Sequence, residues 1–250
     1  MISAVVLTKN EERNIEQCLK MLRFCDEVVV VDDGSTDSTR EIAQNFGAKV
    51  FSRDIKMDFS DQSNFGMEKA RGEWILFVDA DEGVSEKLGE EIKEVTSVFG
   101  DFVGYFMKRR DFIWGRWLEH GESGNRKVLR LIKKGSGKWR RRVHQYFEIK
   151  GSTSELVNPL LHYPHPTVTS FVDSVNRWST WHALANKEEG KKASLSKICF
   201  WPLGHFLKNY FVGLGFLDGI QGFLFAFLMG FHSFLAWGKL WILQRSFSKA

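Results

Sequence analysis

The run "EVVVVDD" (27–33) constrains the fold more than any other stretch of the chain. Four consecutive valines leave no polar side for a half-exposed strand, so the strand must be covered on both faces, as strands of a parallel sheet are when helices pack above and below. A second run has the same form. "WILFVDADEG" (74–83) carries Ile75, Leu76, Phe77 and Val78 directly into Asp79, Asp81 and Glu82. Around these runs the pattern alternates. "ISAVVLT" (2–8) is strand-like, and "NEERNIEQCLKMLRF" sets Ile15, Leu19 and Leu22 on one helical face with acids in the first turn. Ser35 or Thr36 is expected to cap the helix "TDSTREIAQNF", Gly47 to end it, and "AKVF" (48–51) to form a strand. A helix around 61–70, then Gly72, leads into the strand at 74–78. This order predicts an α/β fold: an open, mostly parallel central sheet flanked by helices, with sites at the carboxyl ends of its strands. Asp32-Asp33 and Asp79–Glu82 both fall at such ends.

The 250 residues divide by character into 1–100, with this alternation, a basic, Trp-rich stretch at 101–165, and an aromatic helical stretch at 166–250. Lys108 to Arg142 holds 13 Lys/Arg against Asp111, Glu119 and Glu122. Cys18, Cys25 and Cys199 lack metal-type spacing and are odd in number, which points to a reduced cytosolic setting. "MISAVVLTKNEE" enters a strand at once, and no secretory signal is expected from it. No strand leads into G-x-G-x-x-G, and "KKGSGKWRRR" lacks the first glycine and the terminal Ser/Thr of a P-loop. A nucleotide would then need another phosphate anchor. Mg²⁺ or Mn²⁺ serves, because each takes oxygen ligands from one or two carboxylates plus substrate phosphate. Asp79 and Asp81, two apart on an extended backbone, point the same way. Taken alone, the pair is either a metal ligand set or a solvated loop.

Three stretches in this order and spacing, "LTKNEERNI", "VVVVDDGSTDST" and "DQSNFGMEKARGEWILFVDADE", resemble the bacterial family 2 glycosyltransferases, which have the GT-A nucleotide-diphospho-sugar transferase fold. The resemblance covers 1–100 and continues through "FIWGRWLEHG", "VLRLIKKG", "VHQYF", "PLLHYPHPT" and "GFLDGIQGF", which are similar to the subgroup that adds sugars to lipopolysaccharide core or related envelope glycans. It implies that 1–100 is the nucleotide-sugar-binding half and 101–165 the acceptor and catalytic half. Asp33 should accept a hydrogen bond from the base, with Thr8, Asn10 and Glu11 lining the same pocket. Asp79 should lie near ribose and metal, and Asp81 should ligate the metal. Asn64 and Arg71 are either near the nucleotide or a surface amide and a solvated arginine. A UDP-sugar is the implied donor.

Transfer with inversion also needs a carboxylate base for the acceptor hydroxyl. Many relatives carry an aromatic-Pro-Asp segment before "LRL"; here the sequence reads "HGESGNRKVLRL", with Arg126 where that Asp would stand. Glu122 is the first choice of base, then Glu119 and Asp111, each with the alternative of balancing nearby arginines. His144, in "RRVHQYF", either reaches the metal or diphosphate or is a packed histidine. Arg140 to Arg142 can face the diphosphate or anionic lipid. His162 and His165 are read as structural.

Residues 219–238 hold no formal charge, enough length for a transmembrane helix. At ~100° per residue, Phe223, Phe227, Phe231, Phe234 and Trp241 share one side. Asp218, Gln221, His232 and Lys239 form a narrow strip nearly opposite, and Gly222, Ala226 and Gly230 a small-residue face. The pattern favours an interfacial helix or hairpin over a span, with a buried core or dimer contact as the other alternative. The expectation is an enzyme at the cytoplasmic face of the membrane, in peripheral contact with it, acting on a glycan or lipid-linked acceptor. Oligomeric state is unknown. Rival classes are a nucleotidyltransferase, which usually has a Gly-rich basic loop where "TKNEERN" stands, and a non-catalytic membrane or nucleic-acid binding module. No recognition-helix or RNA-binding motif supports nucleic acid.

Overall fold

A computed structural model describes residues 1–54, 58–98, 100–124, 126–142 and 145–246. In chain order the elements begin with β1 (Ile2–Thr8), α1 (Ile15–Met21), β2 (Glu27–Asp32), α2 (Thr39–Asn45), β3 (Lys49–Ser52), α3 (Phe59–Lys69) and β4 (Trp74–Asp79). Next come β5 (Glu82–Gly83), α4 (Glu86–Ser97), β6 (Phe102–Ile113), β7 (Arg116–Leu118), α5 (Gly121–Gly124) and β8 (Lys127–Lys133). The hairpin β9 (Gly137–Arg140) and β10 (Tyr146–Ile149) precedes β11 (Ser152–Glu155), β12 (Leu160–His162) and α6 (Val168–Glu188). The last part is α7 (Leu195–Leu207), a π-helical turn (Lys208–Val212), a 3₁₀ turn (Gly215–Asp218) and α8 (Gly219–Ser246).

Two compact units result: residues 1–109 with 127–162, and residues 110–126 with 163–250. They do not coincide with the three stretches 1–100, 101–165 and 166–250. The physical reason is the sheet. β1 to β4 are parallel in the order β3-β2-β1-β4, and β8 then adds antiparallel to β4, with β6 antiparallel to β8. Most of the basic middle stretch thereby completes the first unit.

The valine run is covered as its composition demands. Ala4, Val6, Val30, Leu76 and Val78 bury one sheet face against Ile15, Leu19, Ala43, Leu88 and Ile92 of the helices. Val5, Val29, Val31, Ile75 and Phe77 bury the other face with Ala70, Trp139 and Phe147. Each buried Val, Leu, Ile or Phe side chain among them contributes about 1.5–3 kcal/mol. Gly47, at φ +81°, ends α2 as expected. Its start differs: neither Ser35 nor Thr36 caps it, and α2 begins at Thr39. The buried Asp32 carboxylate takes the Ser35 backbone N–H at 3.0 Å and its hydroxyl at 2.5 Å, while the Thr36 N–H goes to Asn10 Oδ1 at 2.8 Å. The Ser35 hydroxyl oxygen already accepts the Asn10 N–H at 2.8 Å, so it is engaged in the loop and accepts from no helix N–H.

In the second unit, Phe171, Val175 and Leu228 form a core with Trp114 and Trp178. The faces of α8 sort as the helical wheel requires. Lys239 Nζ donates to Asn176 O at 2.6 Å and to the Ser179 and Thr180 hydroxyls of α6, each at 2.8 Å. Asp218 and His232 are buried, and Phe223, Phe227, Phe231 and Phe234 are exposed. At Gly222 a Cβ would come within 2.0 Å of the Gly215 carbonyl oxygen, so only glycine allows that approach.

Candidate active site

The carboxyl edge of the parallel strands gathers the acids of the first unit. Parallel pairing aligns Thr8 with Asp32 and Leu7 with Asp79, so the ends of β2, β1 and β4 lie side by side. At the β4 end the chain turns, and the buried Glu82 carboxylate accepts the Asp79 N–H at 3.0 Å. Arg130, from β8, reaches Asp79 Oδ2 at 2.5 Å and Glu82 Oε1 at 2.6 Å, and Arg109 stands 3.8 Å from the same Glu82 oxygen. β12 pairs antiparallel with β5, His162 opposite Glu82, which brings His162 Nε2 to 3.4 Å from Asp81 Oδ2. Burial alone would raise the Asp81 carboxyl; the charge and hydrogen bond of His162, with Arg109, outweigh it and hold Asp81 at about 2. Asp81 is therefore an anion at neutral pH, with its side chain 27% exposed. Glu11 goes the other way. Burial, opposed by a hydrogen bond from Asn14, and the charges of Asp81, Asp37 and Asp79 push it up to about 7. Glu11, Asp79 and Asp81 thus share one concentrated negative field.

The neighbouring β2 end is built for polar contact. Asp33 is buried, with Lys9 Nζ 2.8 Å from its Oδ2 and its N–H donating to Thr8 O at 2.9 Å. Thr8 Oγ1 is buried without a hydrogen-bond partner among the described residues. Such an orphaned hydroxyl is a polar group that a ligand in the same edge would satisfy.

Over residues 3–150 the chain matches the profile of glycosyl transferase family 2. The chain belongs to this family. Among its relatives it is 29% identical to the lipopolysaccharide core biosynthesis glycosyltransferase LpsC of Rhizobium meliloti, covering all of this chain and 94% of LpsC. It is 27% identical to an uncharacterized glycosyltransferase of Rickettsia typhi, over 96% of this chain and 86% of that one. Among solved structures, S. aureus TarS 1-349 in complex with UDP has a TM-score of 0.50 at 17% identity, over 99% of this chain and 91% of TarS. TarS 1-349 in complex with UDP-GlcNAc has the same TM-score at 16% identity. The fold is GT-A, and the protein is a glycosyltransferase of family 2.

Within this family 2 chain, Thr8, Glu11, Asp33, Asp79 and Asp81 come together at one sheet edge. Asn10, at φ +54°, lies in the adjoining loop, where its N–H donates to Ser35 Oγ at 2.8 Å. Asn64 spends both amide groups on the Trp139 backbone, donating to its O at 3.0 Å and accepting from its N–H at 2.9 Å. Arg71 lies at the opposite edge: its Nε is 3.0 Å from Glu27 Oε1, at the start of β2. There Glu27, despite burial, is held at about 2 by Lys49, Ser3 and Arg71. Arg71 braces the strand beginnings. His144 lies outside the described residues. His162, read as structural, stands beside Asp81 instead. No local signal marks it, because only the β5–β12 pairing joins the two. His165 stacks on Phe171, ring centroids 4.7 Å apart.

The second unit holds the three candidate bases. Glu119 pairs with Arg110. Asp111 is buried and accepts the Ser123 hydroxyl. The Glu122 carboxylate is 3.0 Å from His205 Nε2 and accepts from Asn209 at 3.4 Å. His205's hydrogen bond lowers its pKa, burial opposing. A further group lies beside them: His120 Nδ1 is 3.0 Å from Oδ1 of the buried Asp218, whose Oδ2 accepts the N–H groups of Glu119 and His120.

Proposed function

We propose that this enzyme moves a sugar from a UDP-sugar to a hydroxyl of a cell-envelope glycan or lipid-linked acceptor, with a divalent cation and with inversion at the anomeric carbon. The anionic Asp81 carboxylate beside His162 at the end of β4, with Asp79 two residues before it, carries the reading. Carboxylates suit Mg²⁺ or Mn²⁺ when substrate phosphate supplies further oxygens. Among the described residues no group of three or more His, Cys, Asp or Glu side chains is arranged to hold a metal by itself, so the shell depends on the donor. When bound, such an ion offsets charge on the leaving diphosphate. Asp33 takes the imide N–H of uracil, and Thr8, Asn10 and Glu11 line the nucleoside pocket. The UDP and UDP-GlcNAc bound by TarS support uridine, and the name of LpsC supports a lipopolysaccharide-type acceptor.

Glu122 is the proposed base. It is the candidate carboxylate held by an imidazole and an amide rather than by an arginine or within the interior. The His120–Asp218 pair supports a second reading, since Asp218 orients the ring and leaves Nε2 for a hydroxyl proton. Hydrolysis of a panel of UDP-sugars, followed against pH, separates the two. With Glu122 as base, Glu122→Gln lowers kcat by about 10²–10³ at every pH and His120→Asn by less than about fivefold. The reverse ranking assigns the role to His120. No hydrolysis of any UDP-sugar would overturn the donor assignment.

A further inference from the structure

The α7–α8 hairpin presents an apolar surface that its own fold leaves uncovered. Of 24 large apolar side chains exposed among the described residues, 16 lie between Leu195 and Ile242. α7 buries none of its residues. Phe200, Trp201, Leu203, Phe211, Ile220 and Phe227 are each more than half exposed. A soluble surface rarely leaves so much contiguous apolar area open without a partner.

Charge identifies the partner. Residues 190–246 hold six Lys/Arg and one acid, Asp218, which is buried. Four of the cations gather at one end of the hairpin, because the antiparallel helices bring the α7 start beside the α8 end. Gln244 fixes this: its Nε2 donates to Lys191 O at 2.6 Å and its Oε1 accepts the Ala193 N–H at 3.0 Å. Lys192, Lys197 and Arg245 therefore cluster there with Lys191, whose Nζ is paired with Glu189 at 2.7 Å. Lys197 Nζ lies 4.8 Å over the Trp237 ring and the Arg245 guanidinium 3.8 Å over Trp241. Cations beside tryptophans at the edge of an apolar face match the boundary between headgroups and acyl chains.

The packing of α8, which is long and apolar enough to cross a membrane, argues against a span. Its inner side is committed: Asp218 holds the Glu119–His120 backbone, Lys239 is bonded to α6, and Leu228 packs on Phe171 and Val175. A span would strip these contacts and strand two charges in hydrocarbon. We propose that the outer face of the α7–α8 hairpin inserts into one leaflet of a bilayer, with the Lys191/Lys192/Lys197/Arg245 end on anionic lipid headgroups. This deepens the lipid-linked or envelope acceptor reading and rests on it for purpose. Docking is measured without donor, so its failure is distinct from failure of sugar transfer.

The test is co-sedimentation of the full chain with vesicles of phosphatidylcholine alone or with a quarter phosphatidylglycerol. Binding to the anionic vesicles should be at least about tenfold tighter and weaken with salt. The double variant Phe200→Ser/Trp201→Ser should bind at least about tenfold more weakly, with its melting temperature unchanged because neither side chain is buried. Lys191→Glu/Lys192→Glu, on an exposed turn, should erase the preference for anionic vesicles. Absence of binding, indifference to either double variant, or retention after alkaline extraction, which marks a span, would each overturn the proposal. So would a concentration-dependent dimer that the Phe200→Ser/Trp201→Ser variant dissolves, which would make a second copy the occupant.

Discussion

Asp81→Asn is expected to lower UDP-sugar turnover about 10³-fold while the protein melts within a few degrees of wild type. The substitution keeps shape and hydrogen-bonding capacity and removes the anion that His162 and Arg109 hold charged at about 2. Asp81 lies at a partly exposed turn outside the strand core, so its loss falls on chemistry rather than on folding. Asp79→Asn should be milder, since Asp79 is shared with Arg130. Steady-state hydrolysis at saturating Mn²⁺ reads both, and Asp81→Asn turning over within about threefold of wild type would remove the residue from its role.

The second large effect is on stability. Arg130→Ala should cost about 3–5 kcal/mol, because it takes from the buried Glu82 carboxylate its hydrogen-bonded cation and leaves only Arg109 at 3.8 Å. The Arg130 guanidinium bridges Asp79 and Glu82, and Glu82 in turn holds the Asp79 N–H, so one side chain fixes the whole turn after β4. Replacing both charges, Arg130→Met with Glu82→Gln, should recover most of the loss. Urea denaturation measures each variant; a cost below about 1 kcal/mol for Arg130→Ala would mean that the bridge is not what fixes the turn.

Some of this was legible in the sequence. The valine run required two covered faces, and the β-α-β order put Asp33, Asp79 and Asp81 at one edge, because each inference used only local spacing. The faces of α8 followed from helical periodicity in the same way. Arg130 and His162 could not be found so. Arg130 is one cation in a stretch of 13, and nothing near it says that β8 adds beside β4. His162 reaches Asp81 only through the short β5–β12 pairing. Arg71 is the opposite case: it is near the acids in sequence, yet the intervening strand carries it to the other edge, onto Glu27. The expected cap at Ser35 failed because its hydroxyl is held in the loop, donating to the buried Asp32 and accepting the Asn10 N–H.

Calorimetric titration of UDP into the full chain, with and without Mn²⁺, tests the central claim most directly. If the β4 acids hold a cation that shares the diphosphate, Mn²⁺ should tighten UDP binding at least about tenfold, or about 1.4 kcal/mol. Asp81→Asn should abolish that increment and retain the metal-free affinity. UDP binding that is equally tight with and without Mn²⁺, or an increment that survives in Asp81→Asn, would contradict the account.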